Sequence, residues 1–266
     1  VGRCCDAKSL RMRVALFLTI VLQAALTGAA AAQPRAAVEA YAEGRWSEAA
    51  RLAAAEDDAA SLSFAAGAPL AALMTFDARE HDARRAHAEA ARDFAEAALE
   101  RNPDHAEAHL RLAAALGYQA RFAAPTAAFL RGLPQRGRRH IETAIRLDPD
   151  DPWGHAMLGA WHMEVARRGG AAMLDADFEA GLERYRAAAA MPGADPALPY
   201  HFALALLAAG GEAHRAEARA QLRAAAALRP QDALSRAMVE HAGDMLSRLD
   251  ADPNAAEARA RQLLET

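Results

Sequence analysis

The sequence predicts an all-α protein, an α-solenoid built from stacked antiparallel helix pairs. Alanine dominates the composition, aromatic residues make up only 6%, and no alternating run of β-branched residues reaches strand length. Few large side chains mean that apolar area must be buried in thin, alanine-lined helix interfaces, as in repeat proteins. Prolines that end successive second helices lie 46, 43 and 38 residues apart, at Pro103, Pro149, Pro192 and Pro230. This recurrence predicts an irregular repeat.

The clearest helical hairpin lies within residues 138–164. Its first half repeats apolar side chains at three- and four-residue steps, which places them on one helix face. The Asp-Pro-Asp turn at 148–150 ends this helix, because proline lacks the amide that a helix interior needs. Asp151 and Pro152 are then suited to cap and begin the next helix. The segment therefore predicts a helix, a tight turn and a second helix.

Two motifs carry a resemblance to a known family. The run A-I-R-L-D-P-D-D at 144–151, followed by Leu158-Gly159, resembles the junction between two tetratricopeptide repeats, and G-R-W-S-E-A at 44–49 resembles the turn inside one. The resemblance covers most of residues 35–250 and implies a right-handed superhelix whose first helices line a concave groove. Because a standard repeat has a period of about 34 residues, we expect lengthened helices or connections.

The order of these motifs resembles more narrowly the repeat domain of the regulator of microtubule dynamics family. It consists of an A-L-x-x-N-P ending, a broken apolar insertion, the segment around 137–152, and then L-G-A-W-H-M-E-V-A. We expect the helical-repeat architecture to carry over, and not the cellular role.

The N-terminal residues 1–32 have the pattern of a secretory signal peptide. A start at Met12 would give Arg13, an apolar run over 14–22 and an alanine-rich end at Ala32. We expect cleavage after Ala32, with 33–266 forming the repeat domain in the periplasm or outside the cell. The alternative is an uncleaved segment that anchors the protein in the inner membrane.

The sequence favours a protein without catalytic residues, metal or cofactor. Both cysteines, Cys4 and Cys5, lie in the N-terminal segment, and no serine has the G-x-S-x-G context of a nucleophile. The glycine pairs at 169–170 and 210–211 lack the surroundings of a phosphate-binding loop. Without residues 1–32 the chain has 27 basic and 34 acidic residues, a net charge of −7, which disfavours non-specific nucleic-acid binding.

Two histidine pairs are candidate sites. His105 and His109 could face one metal ion, but a solvated first helical turn is the favoured interpretation. His155 and His162 flank Trp161, and hydrogen-bonded histidines near the groove are favoured over a catalytic pair.

The predicted binding residues lie on either side of the 138–164 hairpin. Arginines cluster beside an apolar insertion at 119–137, where they could pair with carboxylates, although a solvated charged face remains open. A second insertion spans 167–177. By the family resemblance the groove would present Leu110, Ala114, Tyr118, Trp153, Ala156, Ala160, Glu164, Tyr200 and Leu204; Trp153 and Trp161 could instead be core. The predicted partner-binding residues are Tyr118, Arg136, Arg138, Arg139, Trp153, His155, Trp161, Glu164 and Tyr200.

Two functions fit these features. The first is an exported scaffold that binds a protein or peptide through its concave groove. The second is a helical carrier of a small apolar or lipid ligand, with residues 122–133 as a lid over an alanine-lined cavity.

Overall fold

All regular structure in the described part of the chain is helical. The computed structural model describes residues 33–75, 81–192 and 195–265. These residues form fourteen helices: α1 (Arg35–Ala42), α2 (Trp46–Ala54), α3 (Ala59–Met74), α4 (His81–Arg101), α5 (Ala106–Phe122), α6 (Pro125–Leu130), α7 (Leu133–Leu147), α8 (Pro152–Arg167), α9 (Ala171–Leu174), α10 (Phe178–Ala189), α11 (Ala197–Ala209), α12 (Glu212–Ala227), α13 (Ala233–Ala251) and α14 (Pro253–Glu265). The predicted all-α class is confirmed, whereas the proposed signal segment, residues 1–32, lies outside the described residues.

The helices associate in antiparallel pairs that stack along the chain. The pairs are α1 with α2, α3 with α4, α5 with α7, α8 with α10, α11 with α12, and α13 with α14. The two short helices α6 and α9 are inserted within the third and fourth pairs, which accounts for the two longest proline spacings, 46 and 43 residues. Stacked pairs confirm the predicted α-solenoid.

Two first helices are buried on nearly every side. α3 packs against α2, α4 and α5, and α11 packs against α8, α12, α13 and α14. Both are apolar around their whole circumference, as helices enclosed by neighbours are. α3 contains Pro69, yet it runs without interruption through this buried residue to Met74. The packing of α3 on its neighbours offsets the hydrogen bond that Pro69 cannot donate.

The last helix does not extend the stack in the regular way. α14 packs against α11 of the preceding pair as well as against its pair partner α13. Glu257 of α14 accepts hydrogen bonds from Arg215 Nε at 2.6 Å and from the Gly211 amide at 3.2 Å. Arg261 also donates to the Ala208 carbonyl at 3.3 Å. These contacts attach α14 to the α11–α12 turn.

The first and last pairs touch. A Cβ atom on Gly44, in the α1–α2 turn, would lie 3.2 Å from the Cβ of Ala233 at the start of α13. Ala233 and Leu234 also pack against the apolar cluster around Trp46. The two ends of the helical array are therefore in direct contact. Among the described residues, no helix has the length and apolar character needed to span a membrane.

Candidate binding site on the concave face

Helix α8 forms one wall of the site because its start and its packing are both fixed locally. The Asp151 carboxylate caps the helix by accepting a hydrogen bond from the Trp153 amide at 3.0 Å, and Pro152 occupies the first turn. Farther along, Gly159 meets Gly181 of α10 so closely that a Cβ on Gly159 would lie 2.7 Å from the Gly181 carbonyl oxygen. Two glycines therefore allow the backbones of α8 and α10 to touch.

A cavity of about 150 Å³ opens between α5, α8, α10, α11 and the end of α14. Its walls are mainly alanine, methionine and aromatic side chains, and its polar residues lie on α5, α8 and α11. The lining residues are Arg121, Trp153, Ala156, Met157, Ala160, Met163, Glu164, Arg167, Phe178, Tyr185, His201, Ala205, Ala208 and Leu264. We call it the concave cavity, because its lining helices α5, α8 and α11 are the first helices that the family resemblance would place along the concave groove.

Charged groups surround one side of the concave cavity. Glu164 accepts two hydrogen bonds from Arg167, both at 3.0 Å, and one from Arg168 at 2.5 Å. Burial alone would raise the pKa of Glu164, but the hydrogen bonds from Arg167 and the charges of Arg168 and Arg121 outweigh it and lower the pKa. Glu164 is therefore ionised at neutral pH and held in place.

Arg121 approaches the same side from α5. Its guanidinium lies 5.0 Å from the centroid of the Tyr118 ring, within the range of a cation–π contact. Within the described ranges Arg121 forms no ion pair of 4.0 Å or less. Its charge is thus available to a carboxylate brought by another molecule.

His201 adds a neutral polar ring to the cavity wall. Burial is the main cause that lowers its pKa to about 4, and the charges of Arg121 and His241 lower it further. The imidazole is therefore uncharged at neutral pH. Its Nε2 atom is buried and has no hydrogen-bond partner in the described part of the chain.

The structure brings only part of the predicted binding set to this cavity. Trp153 and Glu164 line it, and the indole Nε1 of Trp153 donates to Asp195 at 3.1 Å. Tyr118 does not line the cavity, and its ring packs against the apolar cluster around Leu73 beneath the Arg121 guanidinium. Tyr200, by contrast, is only 1% exposed, because α13 and α14 cover that side of α11. Its side chain belongs to the core and is not accessible to a partner.

The predicted arginines and Trp161 lie around the start of α7 and not in the cavity. Trp161 Nε1 donates to the Pro134 carbonyl at 2.9 Å, and Arg138 stacks over the Trp161 ring at 5.1 Å. Arg138 also donates to the Leu174 carbonyl at 3.1 Å, so it ties α7 to the inserted helix α9. Arg136 pairs with Glu96 at 3.2 Å, and Arg139 is exposed. This group joins the two insertions to the array.

Two of the histidines, His109 and His155, occupy matching positions in successive repeats. His109 Nε2 lies 2.8 Å from the Pro103 carbonyl, and His155 Nε2 lies 2.8 Å from the Pro149 carbonyl, so each bonds a turn proline six residues earlier. Because a carbonyl only accepts, Nε2 of His109 carries the proton. Its Nδ1 then accepts from His140 Nδ1 at 2.8 Å.

His105 plays a separate part from His109, since its Nδ1 accepts a hydrogen bond from the Ala108 amide at 3.3 Å and caps α5. His162 likewise lies apart from His155, and its Nδ1 accepts from the Asp177 amide at 3.2 Å. Among the residues described by the structure, no group of three or more potential ligands is placed to hold a metal ion.

The residues missed by sequence reasoning come from helices distant in the chain. Arg121 follows Tyr118 by one helical turn, so the helical period could have placed it on the same face. His201 could only have been found by knowing which side of α11 faces α8. Leu264 reaches the cavity through the folding of α14 across α11, for which the sequence carries no local signal.

Comparison with known proteins agrees with this architecture. A solved structure of a thermophilic tetratricopeptide repeat protein from Thermus thermophilus matches with a TM-score of 0.57 and 21% identity. The match covers 80% of this chain and 96% of that chain, and it shows a shared fold. No curated protein matches the sequence. The model of the family described as regulator of microtubule dynamics protein 1-3 matches residues 68–250, well over half of the sequence, and the chain belongs to that family.

Proposed function

We propose that this protein is a non-enzymatic scaffold that binds a protein or peptide partner at its concave face. The observation that supports this most strongly is the concave cavity, which combines apolar walls with a charged rim of Arg121, Glu164 and Arg167. Apolar centres enclosed by polar rims are the usual anatomy of energetically important interface sites. The helical-repeat fold, which commonly serves protein interaction, supports the same function.

The titratable groups of the cavity support a binding role over a catalytic one. Glu164 is ionised and engaged by two arginines, so it is poorly placed to give up a proton at neutral pH. His201 has a pKa lowered to about 4, mainly by burial, and no carboxylate among the described residues forms a hydrogen bond with it. The net charge of −7 for residues 33–266 disfavours nucleic acid as the partner.

The size of the concave cavity favours an interaction site there over the ligand pocket of a carrier. Pockets that enclose small-molecule ligands usually measure about 300–1,000 Å³, whereas this cavity measures about 150 Å³. A second pocket of about 490 Å³, between α2, α3 and α4, has the volume that the carrier alternative requires. Residues 122–133 do not line the concave cavity, and Leu130 of α6 is 84% exposed. The α6 segment is therefore poorly placed to act as a lid.

We also propose that the protein is exported. The support is the basic start at Met12, the apolar run and the alanine-rich end at Ala32. Mass spectrometry of the protein purified from its natural host tests this directly. A mature chain that begins at Gln33 is expected; a chain that retains residues 14–32 in the membrane fraction would favour the anchored alternative, and one that retains them in the cytosol would refute export.

Partner capture with matched variants tests the binding function. Ala160→Leu and Ala205→Leu fill the concave cavity, while Ala224→Leu adds the same volume to an exposed position of α12. We expect a protein partner to be retained by the wild type and by Ala224→Leu, and lost by both cavity variants. Equal retention by all four proteins would contradict the concave-face proposal. A co-purifying apolar ligand, with no protein partner, would favour the carrier.

A further inference from the structure

The two short inserted helices carry most of the exposed large apolar side chains in the part of the chain that the structure describes. Four such side chains are exposed there, and three of them belong to α6 or α9: Phe129, Leu130 and Met173. Leu130 is 84% exposed and Met173 is 65% exposed. Scattered exposed apolar residues are common on protein surfaces, whereas their concentration on helices of six and four residues is typical of an interaction surface.

α6 is held on the array by one side only. Its buried residue, Ala128, packs in an apolar cluster with Ala95 and Leu116. Leu130 follows Ala128 by two residues, which is a rotation of about 200° around a helix. Its side chain therefore points away from the array, and its exposure follows from the way in which α6 is attached.

Both inserted helices lie at the same edge of the array. α6 joins α5 to α7, and α9 joins α8 to α10, so each lies at the turn inside its pair. Arg138 of α7 donates to the Leu174 carbonyl of α9 at 3.1 Å, and the Trp161 indole of α8 donates to the Pro134 carbonyl at 2.9 Å. These bonds hold the start of α7, which directly follows α6, beside α9. We call the exposed residues of this region the insertion edge: Phe129, Leu130, Arg131 and Met173.

Positive charge accompanies the insertion edge on the α6 side. Residues 108–141 contain six arginines and no acidic residue, although the predicted repeat domain has 34 acidic and 27 basic residues. Arg131 and Arg139 are exposed, and within the described ranges neither forms an ion pair of 4.0 Å or less. Asp175, after α9, is also exposed, so the excess positive charge belongs to the α6 side.

We propose that the insertion edge docks on an anionic lipid surface. Phe129, Leu130 and Met173 enter the boundary between headgroups and acyl chains, while Arg131 and Arg139 lie near the lipid phosphates. Apolar side chains beside unpaired basic ones are the usual anatomy of peripheral membrane attachment. A protruding side chain such as Leu130 suits a deformable bilayer better than the closely packed core of a protein interface. This surface is separate from the concave cavity, and the inference does not depend on the concave-face function.

Local fluorescence in the presence of lipid vesicles tests the inference. The full chain, with its two cysteines replaced by serine, carries an environment-sensitive NBD fluorophore on a single new cysteine: Leu130→Cys, Met173→Cys or Val38→Cys. Val38 of α1 is the matched control, because it is 43% exposed and lies in the first pair. A local readout is required because the apolar run at 14–32 could itself bring the protein to a bilayer.

We expect vesicles of equal parts phosphatidylcholine and phosphatidylglycerol to shift the emission at positions 130 and 173 to the blue and to leave position 38 unchanged. Vesicles of phosphatidylcholine alone should bind more weakly. With the fluorophore at position 173, Leu130→Asp should abolish the shift. Arg131→Gln should raise the lipid concentration at half-maximal shift about fivefold, the effect of one arginine at an anionic surface, whereas Arg51→Gln, at an exposed position of α2, should leave it unchanged. Circular dichroism checks that each variant folds.

Several results would overturn the inference. They are an unchanged emission at position 130 or 173, an equal shift at position 38, and equal binding to the two kinds of vesicle. A protein from the host extract that shifts the emission at position 130 when vesicles do not would assign the insertion edge to an acidic protein partner and would also overturn membrane docking.

Discussion

Replacement of Gly159 by alanine should destabilise the protein, although alanine is the better helix former. Gly159 lies on α8 against α10, and a Cβ there would lie 2.7 Å from the Gly181 carbonyl oxygen, 2.9 Å from the Tyr185 amide nitrogen and 3.1 Å from the Tyr185 Cβ. The two nearest of these atoms belong to the α10 backbone, so rotation of a side chain cannot relieve the overlap. The two helices must move apart.

The size of the effect follows from two opposing contributions. Overpacking of this kind costs about 1–3 kcal/mol, and rigid backbone neighbours place it in the upper part of that range. Alanine in a helix interior recovers about 1 kcal/mol relative to glycine. We therefore expect Gly159→Ala to lower the free energy of unfolding by about 1–2 kcal/mol, which corresponds to a fall in Tm of about 2–8 °C for a chain of this size.

A glycine in open space provides the matched control. Gly243 lies within α13 and has no atom within 4 Å of an added Cβ. Gly243→Ala should therefore stabilise the protein by about 0.5–1 kcal/mol, opposite in sign to Gly159→Ala. Urea titrations monitored by circular dichroism measure both changes. A Gly159→Ala protein as stable as the wild type would refute the close packing of α8 on α10.

Three further predictions concern the histidines, a helix cap and the last helix. Burial is the main cause that lowers the pKa values of His140 and His201 from 6.5 to about 4, so the unfolded state binds more protons than the folded state in this range. The free energy of unfolding, and with it the urea midpoint, should therefore decrease as the pH falls from about 6.5 to 4. The decrease should be smaller in His201→Leu, and a constant midpoint would contradict the burial of the two histidines. Asp58→Ala should lower the free energy of unfolding by about 1 kcal/mol in urea titrations, because the Asp58 carboxylate caps α3 by accepting hydrogen bonds from the Ala60 and Ser61 amides at 2.9 and 3.0 Å. The control Asp104→Ala, at an exposed position, should change this free energy by no more than about 0.5 kcal/mol. Equal changes in the two variants would argue against the cap. Glu257→Gln should accelerate amide hydrogen exchange in α14 and leave exchange in α2 unchanged, because Glu257 accepts hydrogen bonds from Arg215 and from the Gly211 amide. Unchanged exchange in α14 would show that these contacts do not attach α14 to the α11–α12 turn.

The local features of the fold could be predicted from the sequence because each depends on neighbouring residues. The Asp151 cap, the first-turn Pro152 and the apolar steps of the hairpin follow from capping and the helical period. The same period places Trp153, Ala156, Ala160 and Glu164 on one face of α8, and all four line the cavity. The residues that form the α8 wall of the site could therefore be predicted from the local sequence.

The rest of the site depends on contacts between helices far apart in the sequence. An amphipathic pattern shows that α14 has a buried face, but it does not show that this face packs on α11. For this reason the burial of Tyr200 and the contribution of Leu264 could not be derived. Trp153 lines the cavity and Trp161 does not, because the eight residues between them rotate Trp161 to another side of α8, where its indole contacts Pro134.

Site-specific photo-cross-linking tests the central claim most directly. A photoreactive phenylalanine derivative placed at Met157 lies at the concave cavity, and the same residue placed at Ala224 lies on the exposed side of α12. In the natural host we expect a discrete protein adduct from position 157 and none from position 224. An adduct from position 224 alone, equal adducts from both, or no protein adduct from position 157 would contradict binding at the concave face.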